Sequence, residues 1–418
     1  MNFNIKKCSF LLYISDISAF IALGNLSSCK NTFFPDKDSE DSVKTVIPQV
    51  TEINALQGKK MSDPAAKLEM LEVRFKNASS DRIVLGEELS EERRTETVAP
   101  FRLSKYEVSY NLWYEVYQWA KEHGYDFENK GAEGSYSNDT SQTFFNEGGS
   151  PKDKGIPVTG LSWRDCMVFC NAISEFMGLR PVYYSDSSLT KPVRSSKYEG
   201  EHAKKVTNCP LPYGNANETD LYSLQKGAVD NPYVNTSANG FRLPYNREFE
   251  YASRKMNDGS FLSGNAISGD TSGIIASSEE RPLWQQLEGK TDKLTLSKRE
   301  WKKYAWTMDN FGDACTEKTA AGWNDKETSL NGKGKYRMHK QGSKLPSGLG
   351  FYDLGGNAYE WVYDFGAPYY KEKVICTTTR FLRSSSFCIS RYYATCGNKW
   401  EYSPYIKMSG LRLAQNVQ

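Results

Sequence analysis

The chain predicts an α+β fold with few long regular elements and sizeable insertions, on three observations. Apolar residues alternate only over short runs, as at Leu71, Val73 and Phe75 and again through Ile83–Leu85, the mark of short half-buried strands. Helical spacing appears in a few separate stretches, around Leu112–Trp119, Ser162–Met177 and Arg247–Arg254, and nowhere persists. Between them lie long Gly-, Ser-, Asn- and charge-rich stretches without period. With 418 residues, 39% hydrophobic and 13% aromatic, the chain can bury one or two sizeable cores. A formal net charge of +2 with no long basic block indicates neither a nucleic-acid surface nor a strongly acidic partner.

Residues 1–29 read as a lipoprotein signal peptide. Lys6 and Lys7 make a positive start, Phe10–Leu26 is mostly apolar, and Leu26-Ser27-Ser28-Cys29 fits the site at which bacterial lipoprotein precursors are cut before a lipidated cysteine. Asp16 departs from the pattern, since a charge disfavours insertion, and the stretch falls short of the ~20 uninterrupted apolar residues a membrane span needs. Acyl chains on Cys29 contribute ~0.8 kcal/mol per buried CH₂, so the expected location is the bacterial outer membrane or cell surface, lipid-anchored. Residues 30–66 are polar and charged, and read as a flexible tether. The folded domain is then expected over 67–418.

Within that domain, Leu68–Leu85 supplies opening strands, and Phe101-Arg102-Leu103 followed by Tyr106-Glu107-Val108 another. Ser109 is placed to N-cap a helix bearing Leu112, Val116 and Trp119, with Gly124 as its stop. Pro157–Trp163 passes from strand to helix: Ser162 and Asp165 stand at capping-box spacing, and Gly178 closes the helix. Nine cysteines are present. Losing Cys8 with the leader and Cys29 to lipid leaves an odd number, hence a free thiol unless chains are cross-linked. Cys166 and Cys170, four apart on the predicted helix, read as small core residues. For Cys388 and Cys396, spacing alone does not choose between a disulfide and two thiols.

The last thirty or so residues, Arg383–Ala414, differ in kind. Phe387, Tyr392, Tyr393, Trp400, Tyr402 and Tyr405 are interleaved with Ser, Thr, Gly and Asn, without helical or alternating period. Rigid aromatics among small adaptable polar residues make a binding surface at low entropic cost. The competing reading is a Tyr-rich irregular core. Phe381-Leu382 and Leu411-Arg412-Leu413 bracket the segment, the second alternating as a half-buried strand does.

The densest motif is Gly348-Leu349-Gly350-Phe351-Tyr352-Asp353-Leu354-Gly355-Gly356-Asn357-Ala358-Tyr359-Glu360-Trp361-Val362. Together with Pro157–Trp163, Gly240–Ala252 and Gly410–Ala414, in that chain order, it resembles the formylglycine-generating enzyme or sulfatase-modifying-factor domain over roughly Leu68–Ala414. The resemblance implies a variant of the C-type lectin fold. In the enzymes of that family a cysteine pair binds copper and oxidises a substrate cysteine. Aligning Ser385-Ser386-Phe387 with the family's Gly-Ser-aromatic run places those cysteine positions at Ile389 and Ala394, neither able to hold a soft copper ion. No copper and no catalytic residue are therefore expected. His123, His202 and His339 are too scattered for an iron site. The resemblance also implies a structural Ca²⁺ held by the side chains of Asp353 and Glu360 and the carbonyls of Gly356 and Ala358. The residues alone leave open a turn in which Glu360 merely accepts backbone N–H groups.

A lipidated, tethered lectin-type scaffold without redox cysteines, carrying a Tyr/Trp/Ser segment, is similar to the variable proteins of diversity-generating retroelements, and most similar to the treponemal ones. That group rewrites adenines, chiefly at Asn codons, in a C-terminal segment, here about 385–409. Such codons reach Tyr, Ser, Thr, Ile, Cys, Phe, Gly, Ala or Arg, but not Lys, Met or Trp. The ligand-binding, exchangeable positions implied are Cys388, Ile389, Ser390, Tyr392, Tyr393, Thr395, Asn398, Tyr402, Tyr405 and Ile406. Phe387 and Trp400 are expected as framework, with Lys399, Lys407 and Met408 fixed. The ligand is expected to be a protein or other macromolecular surface, with no nucleic acid and no membrane contact beyond the lipid. The alternative is a copper-dependent or other oxidase, or an accessory enzyme, using Cys388 with Cys396 in a changed register on a secreted substrate.

Overall fold

The structure is a computed structural model of the chain. It describes residues 45–417 apart from 57, 88–89, 91–92, 135–145, 198–225, 273–299, 308, 311–337, 367–368, 371–372, 375–378, 405 and 408. The signal peptide with Cys29, and the ligand-facing Tyr405 and framework Met408, thus lie outside the described residues.

Five strands, β1 (Pro48–Asn54), β2 (Glu69–Phe75), β3 (Asp81–Leu85), β4 (Arg94–Val98) and β5 (Phe101–Ser104), precede α1 (Tyr110–Glu122). Short strands β6 (Ala132–Glu133), β7 (Asn146–Glu147) and β8 (Val158–Thr159) lead to α2 (Trp163–Phe176), and β9 (Tyr183–Tyr184) and β10 (Tyr233–Val234) lead to α3 (Asn246–Arg254). The C-terminal part carries β11 (Glu360–Phe365), β12 (Tyr369–Tyr370), β13 (Lys373–Val374), β14 (Arg380–Arg383), β15 (Trp400–Tyr402), β16 (Gly410–Leu411) and β17 (Ala414–Asn416).

The helix starts follow from local chemistry. Ser109 Oγ accepts the Leu112 N–H at 3.2 Å, and Ser162 with Asp165 forms a full capping box, satisfying N–H groups that a helix leaves open at its first turn. Gly124 and Gly178 follow the helix ends at φ +79 and +71, where a side chain would be strained.

Two sheets position the C-terminal segment. One has the order β1-β2-β5-β17 and the other β15-β14-β11-β16, in which β16 runs parallel to β11. The chain leaves the second sheet at β14, re-enters it at β15 and β16, and ends on the first sheet, where Ala414 opposes Leu103. Both ends of the segment are therefore fixed. One core joins α1, α2 and the second sheet through Trp113, Trp163, Phe169, Trp361 and Leu382. In it Trp113 stacks on Phe169 at 4.6 Å, and the indole N–H groups of Trp163 and Trp361 find Val362 O and Leu161 O. A second core packs Val73, Phe101, Phe249 and Tyr251 under the first sheet.

Three expectations are corrected. The tether does not extend to 66: β1 pairs with β2 over its whole length, Pro48 opposing Phe75 and Asn54 opposing Glu69, and Leu56 and Ala66 are buried. Its apolar period is faint because an edge strand needs only part of one face buried. Tyr106-Glu107-Val108 is not a strand, although Val108 N–H donates to Leu411 O at 2.9 Å. Leu411-Arg412-Leu413 is not half-buried, because Arg412 is as inaccessible as its apolar neighbours.

Candidate functional site

The segment after β14 begins in a forced turn. Ser384 sits at φ +66, its hydroxyl donating to Gly356 O at 3.1 Å, and Phe387 N–H donates to Asn357 O at 3.0 Å. Arg383, fully buried, reaches Glu250 at 3.2 Å and the carbonyl of Cys396, tying the start of the segment to its middle. A 3-10 turn over Arg391–Tyr393 follows. Asp309 caps it, accepting from Arg391 N–H at 2.7 Å and Ser390 Oγ at 3.3 Å, and its other oxygen lies 3.1 Å from the Arg391 guanidinium. Beyond the turn, Cys396 and Gly397 donate to Ala266 O and Gly264 O, both at 2.8 Å.

This frame divides the aromatic residues in two. Tyr392 points inward, 2% exposed, against Ile267, Trp301 and Ala305, and Thr395 is buried with its hydroxyl on Glu87 at 2.7 Å. These two positions do not face a ligand, contrary to the expectation. Tyr393 also packs against that cluster but stays half-buried, and Asp309 and Glu87 hold the chain on either side of it, at Arg391 and Thr395. Cys388 is exposed, whereas Ile389, Ser390, Tyr393, Asn398, Tyr402 and Ile406 are half-buried and keep one face toward solvent.

Trp400 lies at the centre, its ring 5.0 Å from Tyr393 and edge-on to Tyr359 at 6.3 Å. Tyr359 forms the floor and is 6% exposed. Burial, then the neighbouring Tyr402, Cys388 and Tyr393, hold its phenol far above the ordinary tyrosine range. Phe387 is buried against Met338 and Ala358. Lys399 holds its ammonium 4.7 Å over the Phe381 ring, while Lys407 is exposed, 3.9 Å from Glu147. Tyr359 was not singled out in the sequence as a floor, since its Gly-Asn-aromatic-Glu turn reads first as a metal loop. Asp309 lies in a stretch without period and carries no sequence signal.

The thiol chemistry is sparse. Ile389 is half-buried and Ala394 fully buried, so the aligned cysteine positions offer no ligand atom. Cys388 and Cys396 are both free. Cys388 Sγ is 3.4 Å from Ser386 Oγ at the surface, whereas Cys396 is buried with its sulfur toward Ser253 O. Burial pushes the Cys396 thiol up to about 12, so it stays protonated and a poor ligand at neutral pH.

The residues expected around calcium are all buried, but as a set they do not fit the ion. Both oxygens of Glu360 are taken by Arg412 at 2.9 and 3.0 Å, and Gly356 O accepts from Ser384. Asp353 accepts from Gly342 N–H at 2.6 Å through one oxygen, and its other oxygen is buried without a partner. Glu107, from the loop before α1, accepts from Asn357 Nδ2 and Ala358 N–H. Burial, then Asp353 and Glu360, raise the Glu107 carboxyl well above its usual range, and burial pushes Asp353 to about 6. Among the described residues no three His, Cys, Asp or Glu side chains converge as metal ligands.

Three comparisons place the chain among known proteins. It is similar to a protein described as chaperone protein LppX of Paenibacillus barcinonensis, 23% identical over 270 residues. That match spans 64% of this chain and 64% of the relative, slightly under two thirds of its length. Among solved structures it is similar to Treponema denticola variable protein 1, at 20% identity and TM-score 0.46 over 84% of this chain and 96% of that one. Similar too are CarF, at 20% identity and TM-score 0.45 over 80% and 94%, and PvdO from Pseudomonas aeruginosa, at 14% identity and 0.43 over 88% and 98%. The description of the sulfatase-modifying factor enzyme 1-like domain matches residues 74–417, a span that holds every motif of the resemblance and both halves of the aromatic site. The chain therefore belongs to the sulfatase-modifying factor enzyme 1-like domain family, with that family's C-type lectin-like α+β fold.

Proposed function

We propose that this domain is a non-catalytic binding module, anchored through Cys29 to a bacterial surface and gripping a macromolecular partner, a protein surface above all, with its C-terminal segment. The observation that carries this reading is the aromatic patch of Tyr393, Trp400 and Tyr402 with Ile389. Each is half-buried on a fixed frame, and Ile389 is one of the two positions that the resemblance aligns with the family's cysteines. Half-buried aromatics on a rigid base are the residue type that dominates binding energetics, since they lose little entropy on contact. Cys388, Ser390, Asn398 and Ile406 add small adaptable groups at the rim.

The finer reading is that a retroelement diversifies this rim. It is supported by the division between half-buried or exposed positions such as Cys388, Ile389 and Tyr402 and enclosed ones such as Tyr392 and Thr395. On this reading the exchangeable set contracts to Cys388, Ile389, Ser390, Tyr393, Asn398, Tyr402, Tyr405 and Ile406, with Tyr392 and Thr395 assigned to the frame. The test is the coding DNA of the last forty or so codons from several isolates. Replacements should concentrate at those exchangeable positions, beside a second adenine-rich copy and a reverse transcriptase gene. Changes spread evenly and mostly silent would refute it.

Anchoring is tested separately. No helix among the described residues is long and apolar enough to cross a membrane, so Cys29→Ser should move the protein from the membrane to the soluble fraction. An oxidase reading needs two accessible thiolates. The buried, protonated Cys396 argues against it, and a copper titration should show no tight thiolate ligation.

A further inference from the structure

We infer that in this chain the Glu360 carboxylate, which the family resemblance gives to a calcium ion, is neutralised instead by a guanidinium, that of Arg412. Arg412 and Glu360 are both 0% exposed along their side chains and meet in a bidentate pair. The remaining donors of Arg412 reach backbone oxygens: Tyr352 O at 2.8 Å, Ser104 O at 2.9 Å and Lys105 O at 3.0 Å. Five N–H groups thus meet five oxygens, one carboxylate and three carbonyls, which exhausts what a guanidinium can donate. Of the four residues that the resemblance gives to calcium, Glu360 is the one Arg412 bonds, and both of its oxygens are engaged by that cation.

Among the other expected ligands, Gly356 O accepts from Ser384, and Asp353 accepts from Gly342 N–H through one oxygen while its second oxygen has no partner. A divalent ion on Glu360 would share that carboxylate with a buried cation that never loses its proton, and like charges in a dry interior repel strongly. The arrangement also has a structural consequence. Arg412, directly after the aromatic segment, clamps the chain to three separated stretches: Ser104–Lys105, Tyr352 and Glu360. The scaffold beneath the aromatic patch is then set independently of calcium concentration. This inference does not depend on what the patch binds.

The test is thermal unfolding of the full-length protein in millimolar calcium and in excess EGTA. The wild-type midpoint should agree within about 1 °C between the two, since an ion that binds only the folded state would raise it. Arg412→Gln should unfold at lower temperature in EGTA, and calcium should restore part of that loss by occupying the vacated oxygens. A wild-type rise of about 5 °C or more in calcium that disappears in Glu360→Gln would overturn the inference. A rise that persists in Glu360→Gln places the ion elsewhere and leaves it standing. Where Arg412→Gln does not fold, calorimetric titration of calcium into the wild type and Glu360→Gln decides alone: stoichiometric binding lost with Glu360 refutes it.

Discussion

Tyr392 and Tyr393 are adjacent and chemically identical, yet the frame gives them opposite roles. Tyr392 is enclosed by Ile267, Trp301 and Ala305, whereas Tyr393 lies at the edge of that cluster, half-buried and against Trp400. Tyr392→Ala should therefore cost about 3–5 kcal/mol in urea unfolding, the range for emptying a buried aromatic site, and Tyr393→Ala under about 1 kcal/mol. Equal costs would refute the division of the segment into frame and rim. Asp353 supports a pH prediction. Burial raises its carboxyl above the unfolded value, from 3.8 to about 6. Its contribution to stability is then complete below about pH 4 and is lost as pH rises through about 6, because the folded state must ionise a buried acid. Asp353→Asn removes that loss and keeps an oxygen for Gly342 N–H. The variant's midpoint relative to wild type should rise between pH 4 and pH 7, and a flat difference would rule the effect out. At this scale the sequence gives the residue types but not their sides, since one turn of backbone decides which tyrosine is enclosed.

The helix starts, whose signals are local, are read correctly. The caps of α1 and α2 were legible because a hydroxyl three residues before the N–H it accepts is a matter of neighbours in sequence. The 3-10 turn at Arg391–Tyr393 was not, because its cap, Asp309, comes from more than eighty residues away. Asp309→Ala should leave the sheets intact and speed hydrogen exchange of the Arg391–Ala394 amides, with a stability loss of about 1–2 kcal/mol. Unchanged exchange would show that the turn holds itself. Gly397 makes the matching contact at the far side. A Cβ there would meet Glu87 N and Gly86 C at 2.6 Å, backbone atoms that cannot swing away. Gly397→Ala should accordingly push the segment and the loop after β3 apart, detected as faster exchange in both.

For the whole molecule, the pairing of β17 with β5 closes the chain on itself, and β1 adds an outer strand to the same sheet. Removing residues 1–44 should leave the unfolding midpoint unchanged, while removing residues 1–66 takes away β1, Leu56 and Ala66 and should lower it by several degrees. Equal midpoints would restore the longer tether. Taken alone, the sequence determined the family, the α+β class and the helix caps, because each is written in residue type and short spacing. Only the tertiary structure decided that β1 belongs to the fold, that Tyr392 and Thr395 face inward, that Tyr359 is the floor and that Arg412 answers Glu360. Those outcomes depend on partners brought together from distant parts of the chain, and no short stretch records which partner will be there.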